Sequence, residues 1–448
     1  MTRPVQLLLL NPSDGFRPAG FVPHLGFALM AAALPPGETV VADYNSAPAL
    51  PHPGELLRTC RPAAVGITAY TPTWPAASRL IDEVRRHYDG PLLLGGPHTQ
   101  SYAAAVADDT RIDYVVTGEA DAMFTGGENW QRQSRPQLRN LPPMAARDIG
   151  SPALDAFLRW EEINGYPLMT SRGCPYRCAF CVVPGEGQRG WRPRPLDDCL
   201  AELEHWLPRL PRLRRLVIND DCFTLDLERA KEFLDRYLTV IHPRYPVELQ
   251  VSNIRADRID AAFLVLLRRA GATKVGLGIE HLVPEVFAGV GKGETLETIV
   301  AAVKLVRAAG LQAGGCLIVG LPGDTPARSR ECVRRAAALG LDFHFWNLMI
   351  AYRGTAARDW FERHGRVLAE AYQPLTAPGM SLQPPVPHVE TDEFPARARQ
   401  QAWLHARLNT ERLLLRTLLR ALPVALRYGV VSDWAAAMAA AVQRRAAR

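Results

Sequence analysis

The sequence predicts an α/β chain in three parts. These are a parallel sheet over residues 1–125, a partial, open (β/α)6 barrel over 161–375, and a helical region over 376–448, with a linker at 126–160. Three observations predict this. Near-continuous apolar runs alternate with helical patterns, as in parallel sheets covered on both faces. Six strand–helix repeats follow residue 161, too few to close a full barrel. The tail opens with Pro374, Pro378, Pro384, Pro385 and Pro387 and then carries leucines at helical spacing.

In the first part, Leu7-Leu8-Leu9-Leu10 reads as a strand ending at the turn signal Asn11-Pro12, and Leu25 through Leu34 as a helix. Further strands are expected at Thr39–Asp43, Ala63–Thr68, Pro91–Leu94 and Ile112–Val116, with an amphipathic helix over Ala76–His87. Ligands of such sheets bind beyond the carboxyl ends of the strands, where Asn11, Thr68, Gly95, Gly96, Thr117 and Gly118 fall. Ordinary turns without a ligand fit those residues equally well. From 126 to 160, Gly126-Gly127, Arg135-Pro136 and Pro142-Pro143 interrupt any regular pattern.

In the second part, an apolar run (Tyr166, Leu168, Met169) leads into Thr170-Ser171-Arg172-Gly173-Cys174-Pro175-Tyr176-Arg177-Cys178-Ala179-Phe180-Cys181. Strands follow at Arg215–Ile218, Glu248–Val251, Lys274–Glu280, Gln312–Val319 and Asp342–Ile350. Helices over Pro195–Leu207, Leu227–Val240, Asp260–Ala270, Thr295–Ala309 and Ala327–Leu339 separate them. In the tail, a helical pattern runs from Asp392 to Leu422 and stops at Pro423, and a second runs from Val431 to Ala447. Its stripe of Leu404, Leu408, Leu413, Leu415, Leu418 and Leu419 reads as packing against the barrel rather than a partner-binding face.

The chain has 448 residues, 48% hydrophobic and 22% charged, as soluble globular proteins have. No apolar run is long enough to span a membrane, and the N-terminus lacks the core and cleavage site of a signal peptide, so a cytoplasmic location is expected. The net charge of +6 is nearly all arginine, the lysines being Lys231, Lys274, Lys292 and Lys304. No basic stripe with interleaved aromatics is present, which argues against nucleic acid as a partner.

Of eight cysteines, Cys60, Cys199, Cys222, Cys316 and Cys332 are scattered among apolar neighbours and read as small buried hydrophobes. Cys174, Cys178 and Cys181 are clustered as C-x3-C-x2-C on a loop after a strand. Three thiolates satisfy three irons of a 4Fe–4S cluster and leave the fourth open for chemistry. A zinc knuckle is the alternative, but zinc needs a fourth ligand, and no Cys or His follows before Cys199.

The triplet, with Phe180 before its last cysteine, resembles the cluster loop of the radical S-adenosylmethionine (SAM) superfamily. The stretches Asn219-Asp220-Asp221-Cys222-Phe223, Arg255-Ala256-Asp257, Gly278-Ile279-Glu280, Lys292-Gly293 and Gly320-Leu321-Pro322-Gly323-Asp324 resemble strand-end landmarks of its cobalamin-associated branch. The first 125 residues resemble the Rossmann-like cobalamin-binding domain of that branch, through Leu10-Asn11-Pro12, His24-Leu25-Gly26, Val65-Gly66-Ile67-Thr68, Gly95-Gly96-Pro97-His98 and Thr117-Gly118-Glu119.

The resemblance implies cluster ligands Cys174, Cys178 and Cys181. It implies a SAM site of Phe180, Asp220, Asp221, Ser252, Arg255, Glu280 and Gly320, with Asp220 or Asp221 on the SAM ammonium and Arg255 on its carboxylate or ribose. On the bland reading the Asp is a helix cap and Glu280 pairs with Lys292. Cobalamin is implied at Asn11, Pro12, Thr68, Tyr70, Thr71, Gly95, Gly96, Pro97, His98, Gly118 and Glu119. The Asp-x-His-x-x-Gly pattern that supplies a cobalt ligand is missing, since Asp14-Gly15-Phe16-Arg17 has no His in place. Base-off cobalamin without a protein His ligand is therefore implied, with His24 read as structural and Tyr70 filling the lower face.

The implied activity is cobalamin-dependent radical methylation of an unactivated carbon in a natural-product or peptide substrate. An electron donor such as flavodoxin or ferredoxin would feed it. Rearrangement, ring closure or oxidation on the same cofactors is the alternative. Methylthio transfer is disfavoured, since the chain lacks an N-terminal cysteine cluster and a basic RNA-binding barrel. Phe343, Phe345, Trp346 and Tyr352 suit substrate lining and core equally.

Overall fold

The structure, a computed structural model, describes residues 4–13, 20–47, 49–124, 129–183, 190–370, 382–411 and 415–446. The stretch Asp14 to Arg17, Pro374, Pro378 and Leu413 lie outside the described residues.

Six strands form the first sheet: β1 (Leu7–Asn11), β2 (Thr39–Asp43), β3 (Ala64–Thr68), β4 (Leu92–Gly95), β5 (Tyr114–Gly118) and β6 (Gln137–Leu141). All pair in parallel in the order β2-β1-β3-β4-β5-β6. The order reverses between β1 and β3, the switch point where ligands of doubly wound sheets bind. Leu8, Leu10, Val65, Ile67 and Leu94 pack on one face under α2 (Pro53–Cys60) and α3 (Trp74–Arg85). Leu7, Leu9, Leu93 and Val116 face the other way, with α1 (Leu25–Ala32), into a core continuous with the barrel. The two-residue alternation thus builds two cores from one apolar run. α4 (Pro97–Val106) follows β4.

The segment expected to be a linker contributes the edge strand β6. Its polar residues Gln137, Arg139 and Asn140 are exposed, so it lacks the apolar signature of the inner strands.

β7 (Gly165–Leu168) opens the barrel; the short β8 (Ser171–Arg172) and β9 (Arg192–Pro193) pair antiparallel at the base of the cysteine loop. β10 (Arg215–Ile218), β11 (Glu248–Val251), β12 (Lys274–Glu280), β13 (Gln312–Val319) and β14 (Phe343–Leu348) follow. They form two parallel ladders, β11-β10-β7 and β12-β13-β14, joined by the Ile254–Leu277 bridge. This is the six-stranded partial barrel expected. Its helices are α5 (Leu196–Trp206), α6 (Leu227–Val240), α7 (Ala261–Arg269), α8 (Pro284–Val290), α9 (Leu296–Ala308), α10 (Pro326–Ala338) and α11 (Ala356–His364).

The two-stranded β15 (Arg366–Val367) and β16 (Val389–Glu390) precede α12 (Ala396–Thr410), α13 (Leu415–Tyr428) and α14 (Val431–Ala446). The first helix expected in the tail is thus two, and α13 runs through Pro423. Packing of α13 on α14 outweighs the proline's local preference. The packing role expected of the tail is seen: Leu404, Leu408 and Leu418 are buried, while Leu419 is exposed. Trp403 Nε1 donates to the Trp346 carbonyl at 2.8 Å. The fully buried Arg399 donates to the Gly320 carbonyl at 2.6 Å, beside the Phe361 and Phe394 rings. Gly320 has φ +84, and a Cβ there would run into the Arg399 guanidinium.

Candidate functional site

The cysteine loop is fixed by backbone bonds at several points. Ala179 N–H donates to the carbonyl of Val290, the last residue of α8, and the Ala179 carbonyl accepts from Ala357 N–H in α11, both at 2.8 Å. Gly173 N–H donates to Asp221 Oδ2 at 2.8 Å. Tyr176 lies under Arg255, whose guanidinium carbon is 3.5 Å from the ring centre, a cation–π contact. Cys174, Cys178 and Cys181 are all partly exposed. Burial pushes the thiols up, Cys181 to about 11, while Lys292 opposes the shift at Cys178 and Arg255 opposes it at Cys174. The free thiols are protonated near neutral pH, so metal binding must release their protons.

Among the described residues no three His, Cys, Asp or Glu side chains gather closely enough to hold one metal ion. On one loop, with no further Cys or His before Cys199, the three thiols have the donor number of a 4Fe–4S cluster with one open iron rather than that of a closed zinc site.

Asp220 is fully buried, and its carboxylate accepts from Thr170 N, Thr170 Oγ1 and Ser171 Oγ, each at 2.6 Å. It is held by Thr170 and Ser171 of the segment that enters the loop, so of the two aspartates expected at the SAM ammonium it is the one more fully engaged within the protein. Asp221 lines a cavity, as does its neighbour Asn219. Arg255 pairs with Asp257 at 2.9 and 3.0 Å and lies 3.4 Å from Glu294. Glu280, at φ +64, is buried with Lys292 Nζ at 3.4 Å, the pairing foreseen for it; Lys292 also reaches the Gly278 carbonyl and Glu294. Ser252 is exposed beyond β11, and Phe180 packs partly into the core.

The cavity, of about 400 Å³, lies at the switch point. Leu9 of β1, Gly66 to Thr68 of β3, Leu93 and Gly95 of β4, and Val116 and Gly118 of β5 form one wall. Met169, Ser171, Arg172, Val182, Val183 and Asp221 of the barrel form the other. Thr68, Tyr70, Gly95, Gly96, Pro97, Gly118 and Glu119 of the expected cobalamin set all line it. Gly96, at φ +100, turns the chain where a Cβ would meet Thr68 and Ala69 at 2.5 to 3.0 Å.

Four members of that set lie elsewhere. Asn11 is buried, its Nδ2 donating to Asp43 Oδ1 at 2.8 Å, and Pro12 lines a separate pocket beside Tyr44. His98 is fully buried between the Trp74 and Tyr102 rings, 4.6 and 5.0 Å away, with Nδ1 3.3 Å from Thr71 Oγ1. Burial lowers its pKa to about 4. The ring is packed in the core and does not line the cavity, and Thr71 is buried with it.

A joint between the two halves escaped the sequence reading. Arg172 Nη1 meets Glu119 Oε2 at 3.1 Å and Asp121 Oδ2 at 2.5 Å, and Arg192 pairs with both Glu119 oxygens. Met144 N–H donates to Glu119 at 2.8 Å. Glu119 therefore ties β5 to the cysteine loop rather than offering a free acceptor to cobalamin. The partners lie 25 to 73 residues apart, where no local pattern links them. Burial pushes the Glu119 carboxyl up, but Arg192, the Met144 N–H and Arg172 outweigh it and hold the group below the usual range. A depressed acid contributes stability above its unfolded value, near about 4.3, and loses it as pH falls through the folded value. Glu119→Gln is thus expected to cost about 3 kcal/mol near neutral pH. Urea denaturation of the metal-free protein should show the two proteins converging below about pH 4.

Residues 168–344 match the model of the radical SAM superfamily, and residues 16–126 match that of the B12 binding domain. The chain belongs to the cobalamin-dependent radical SAM family. Its cofactors are a 4Fe–4S cluster, SAM and cobalamin. Among relatives, an uncharacterized methyltransferase of Pyrococcus horikoshii is 26% identical, covering 67% of this chain and 70% of that protein. The anaerobic magnesium-protoporphyrin IX monomethyl ester cyclase of Rubrivivax gelatinosus is also 26% identical, covering 65% and 57%. The radical SAM methyltransferase TsrM of Kitasatospora setae, solved with tryptophan and a SAM analogue, shares the fold with a TM-score of 0.62. It is 21% identical, over 82% of this chain and 80% of TsrM.

The residues of this radical SAM protein fit those cofactors. Three partly exposed cysteine thiols stand on the one loop. The cavity presents apolar walls, glycines that permit close approach, and a buried ring nitrogen of His24 that has no hydrogen-bond partner among the described residues. No helix among the described residues is long and apolar enough to cross a membrane.

Proposed function

We propose that the protein is a cobalamin-dependent radical SAM C-methyltransferase acting on an unactivated carbon of a natural-product or peptide substrate. The observation that carries this reading is the single cavity lined both by the strand ends of the first sheet and by Val182 and Val183, which directly follow Cys181. Bound there, the cofactors supply radical chemistry on one side and a transferable methyl group on the other. Cys174, Cys178 and Cys181 hold the cluster. Of the SAM residues expected, Asp221, Arg255 and Glu280 sit around the loop, while Asp220 positions it.

The barrel interior supports an uncharged, partly apolar substrate. Along β14, Trp346 packs outward on α12, its Nε1 2.7 Å from Thr410 Oγ1. Alternation puts Phe343, Phe345 and Asn347 on the opposite, inner face. The register sets Cys316 and Ile318 of β13 beside Phe345 and Asn347. Phe343 covers Gly314, where an added Cβ would collide with its ring. A small donor such as flavodoxin or ferredoxin, in the cytoplasm, completes the proposal.

The test is anaerobic incubation of the reconstituted enzyme with methyl-labelled SAM, cobalamin and an extract of the producing organism, read by mass spectrometry. A product heavier by one labelled methylene unit is expected. New product without label would favour ring closure or rearrangement instead, the reading that the cyclase relatives support.

A further inference from the structure

Among the described residues that line the cavity, His24 alone has a buried side-chain nitrogen without a hydrogen-bond partner. The ring is fixed on its other side. His24 caps α1, its Nδ1 accepting from Phe27 N–H at 3.1 Å, and its own backbone N–H donates to Asp43 Oδ2 at 3.1 Å. Asp43 is in turn held by Asn11 Nδ2 at 2.8 Å and Ser46 Oγ at 2.7 Å. The Phe27 ring centre is 4.7 Å from that of His24.

This geometry sets the tautomer. A neutral imidazole whose Nδ1 lone pair receives an N–H bond carries its proton on Nε2. Burial favours the neutral ring. Histidines that bind metals are wired the other way round: one nitrogen ligates, and the second donates its N–H to an acceptor. Here Nε2 has an N–H and no lone pair, and turning the ring over would uncap α1. A buried donor left unpaired costs about 1–3 kcal/mol, so an acceptor is expected from whatever fills the cavity.

We propose that His24 donates its Nε2–H to an oxygen acceptor of bound cobalamin, and is a binding and positioning residue rather than a cobalt ligand. The inference rests on cobalamin occupying this cavity. His24→Asn tests it, because Asn keeps an N-capping oxygen for Phe27 N–H but is too short to extend the donor. The apo variant should melt close to the wild type. Its cobalamin dissociation constant, followed by absorbance, should rise about 3- to 10-fold.

A second measurement needs no variant. Electron paramagnetic resonance of the cob(II)alamin-loaded wild type, with and without [15N]histidine labelling, should show no histidine nitrogen coupled to cobalt. A pattern that changes with the label would make His24 a ligand and overturn the proposal. Unchanged affinity in a folded Asn variant would overturn it too, leaving His24 a helix cap only. If the wild type bound no cobalamin, the cofactor assignment would fall along with it.

Discussion

Cys178→Ala abolishes 5′-deoxyadenosine formation from SAM while leaving cobalamin binding intact; this is the expected result. The substitution removes one sulfur and leaves the loop's anchors untouched, because those run through the backbone of Ala179 and Gly173. The Cys178 carbonyl, which accepts from Cys181 N–H at 3.0 Å, is also kept. Two thiolates cannot hold a cluster that needs three. The fall in SAM cleavage should exceed the 10- to 100-fold, roughly, that loss of an outer-shell partner costs. Iron per chain should drop in parallel. Cobalamin affinity should stay within about twofold, since Cys178 does not line the cavity and distant sites act independently. Loss of both functions together would mean that the loop holds the fold instead of serving the chemistry.

The contrast between the cysteines and the other site residues shows what a sequence carries. A cysteine triplet on one loop is a local pattern, so Cys174, Cys178 and Cys181 were legible from spacing as candidate ligands. Strand ends were legible for a similar reason: an apolar run stops where a parallel strand leaves the sheet, which located Thr68, Gly95 and Gly118 at the cavity. What a polar side chain does at a strand end is not local. Asp220 and Asp221 are adjacent and chemically alike, yet one is sealed inside by Thr170 and Ser171 while the other lines the cavity. Neighbours some 50 residues away make that choice. The two histidines show the same limit. His98, which follows Gly95-Gly96-Pro97, is stacked in the core, while His24 caps its helix as expected and also lines the cavity. Edge strand β6 was missed because an edge need not be apolar.

Asp220→Ala is expected to be the most destabilising single change at the site, by about 3–5 kcal/mol. Its carboxylate is the acceptor for one buried N–H and two buried hydroxyls. The hydroxyls can rotate to other acceptors in part, but the Thr170 N–H cannot. Arg229, which donates to the Thr170 carbonyl at 3.0 Å, would be left in a pocket that has lost its negative charge. The loosened segment is the one that delivers Arg172 to Glu119 and Asp121 and Cys174 to the cluster, so two defects should appear together. Chemical denaturation of the metal-free protein would show the lost stability, and iron retention after anaerobic reconstitution would show the misplaced loop. Asp220→Asn, which keeps one acceptor oxygen but adds a donor facing other donors, should cost about half as much. A different outcome would restore the first reading of this residue. If Asp220→Ala kept full stability and iron, and only the KM for SAM rose, the carboxylate would be binding the SAM ammonium after all. The buried bonds to Thr170 and Ser171 would then have little weight in the fold.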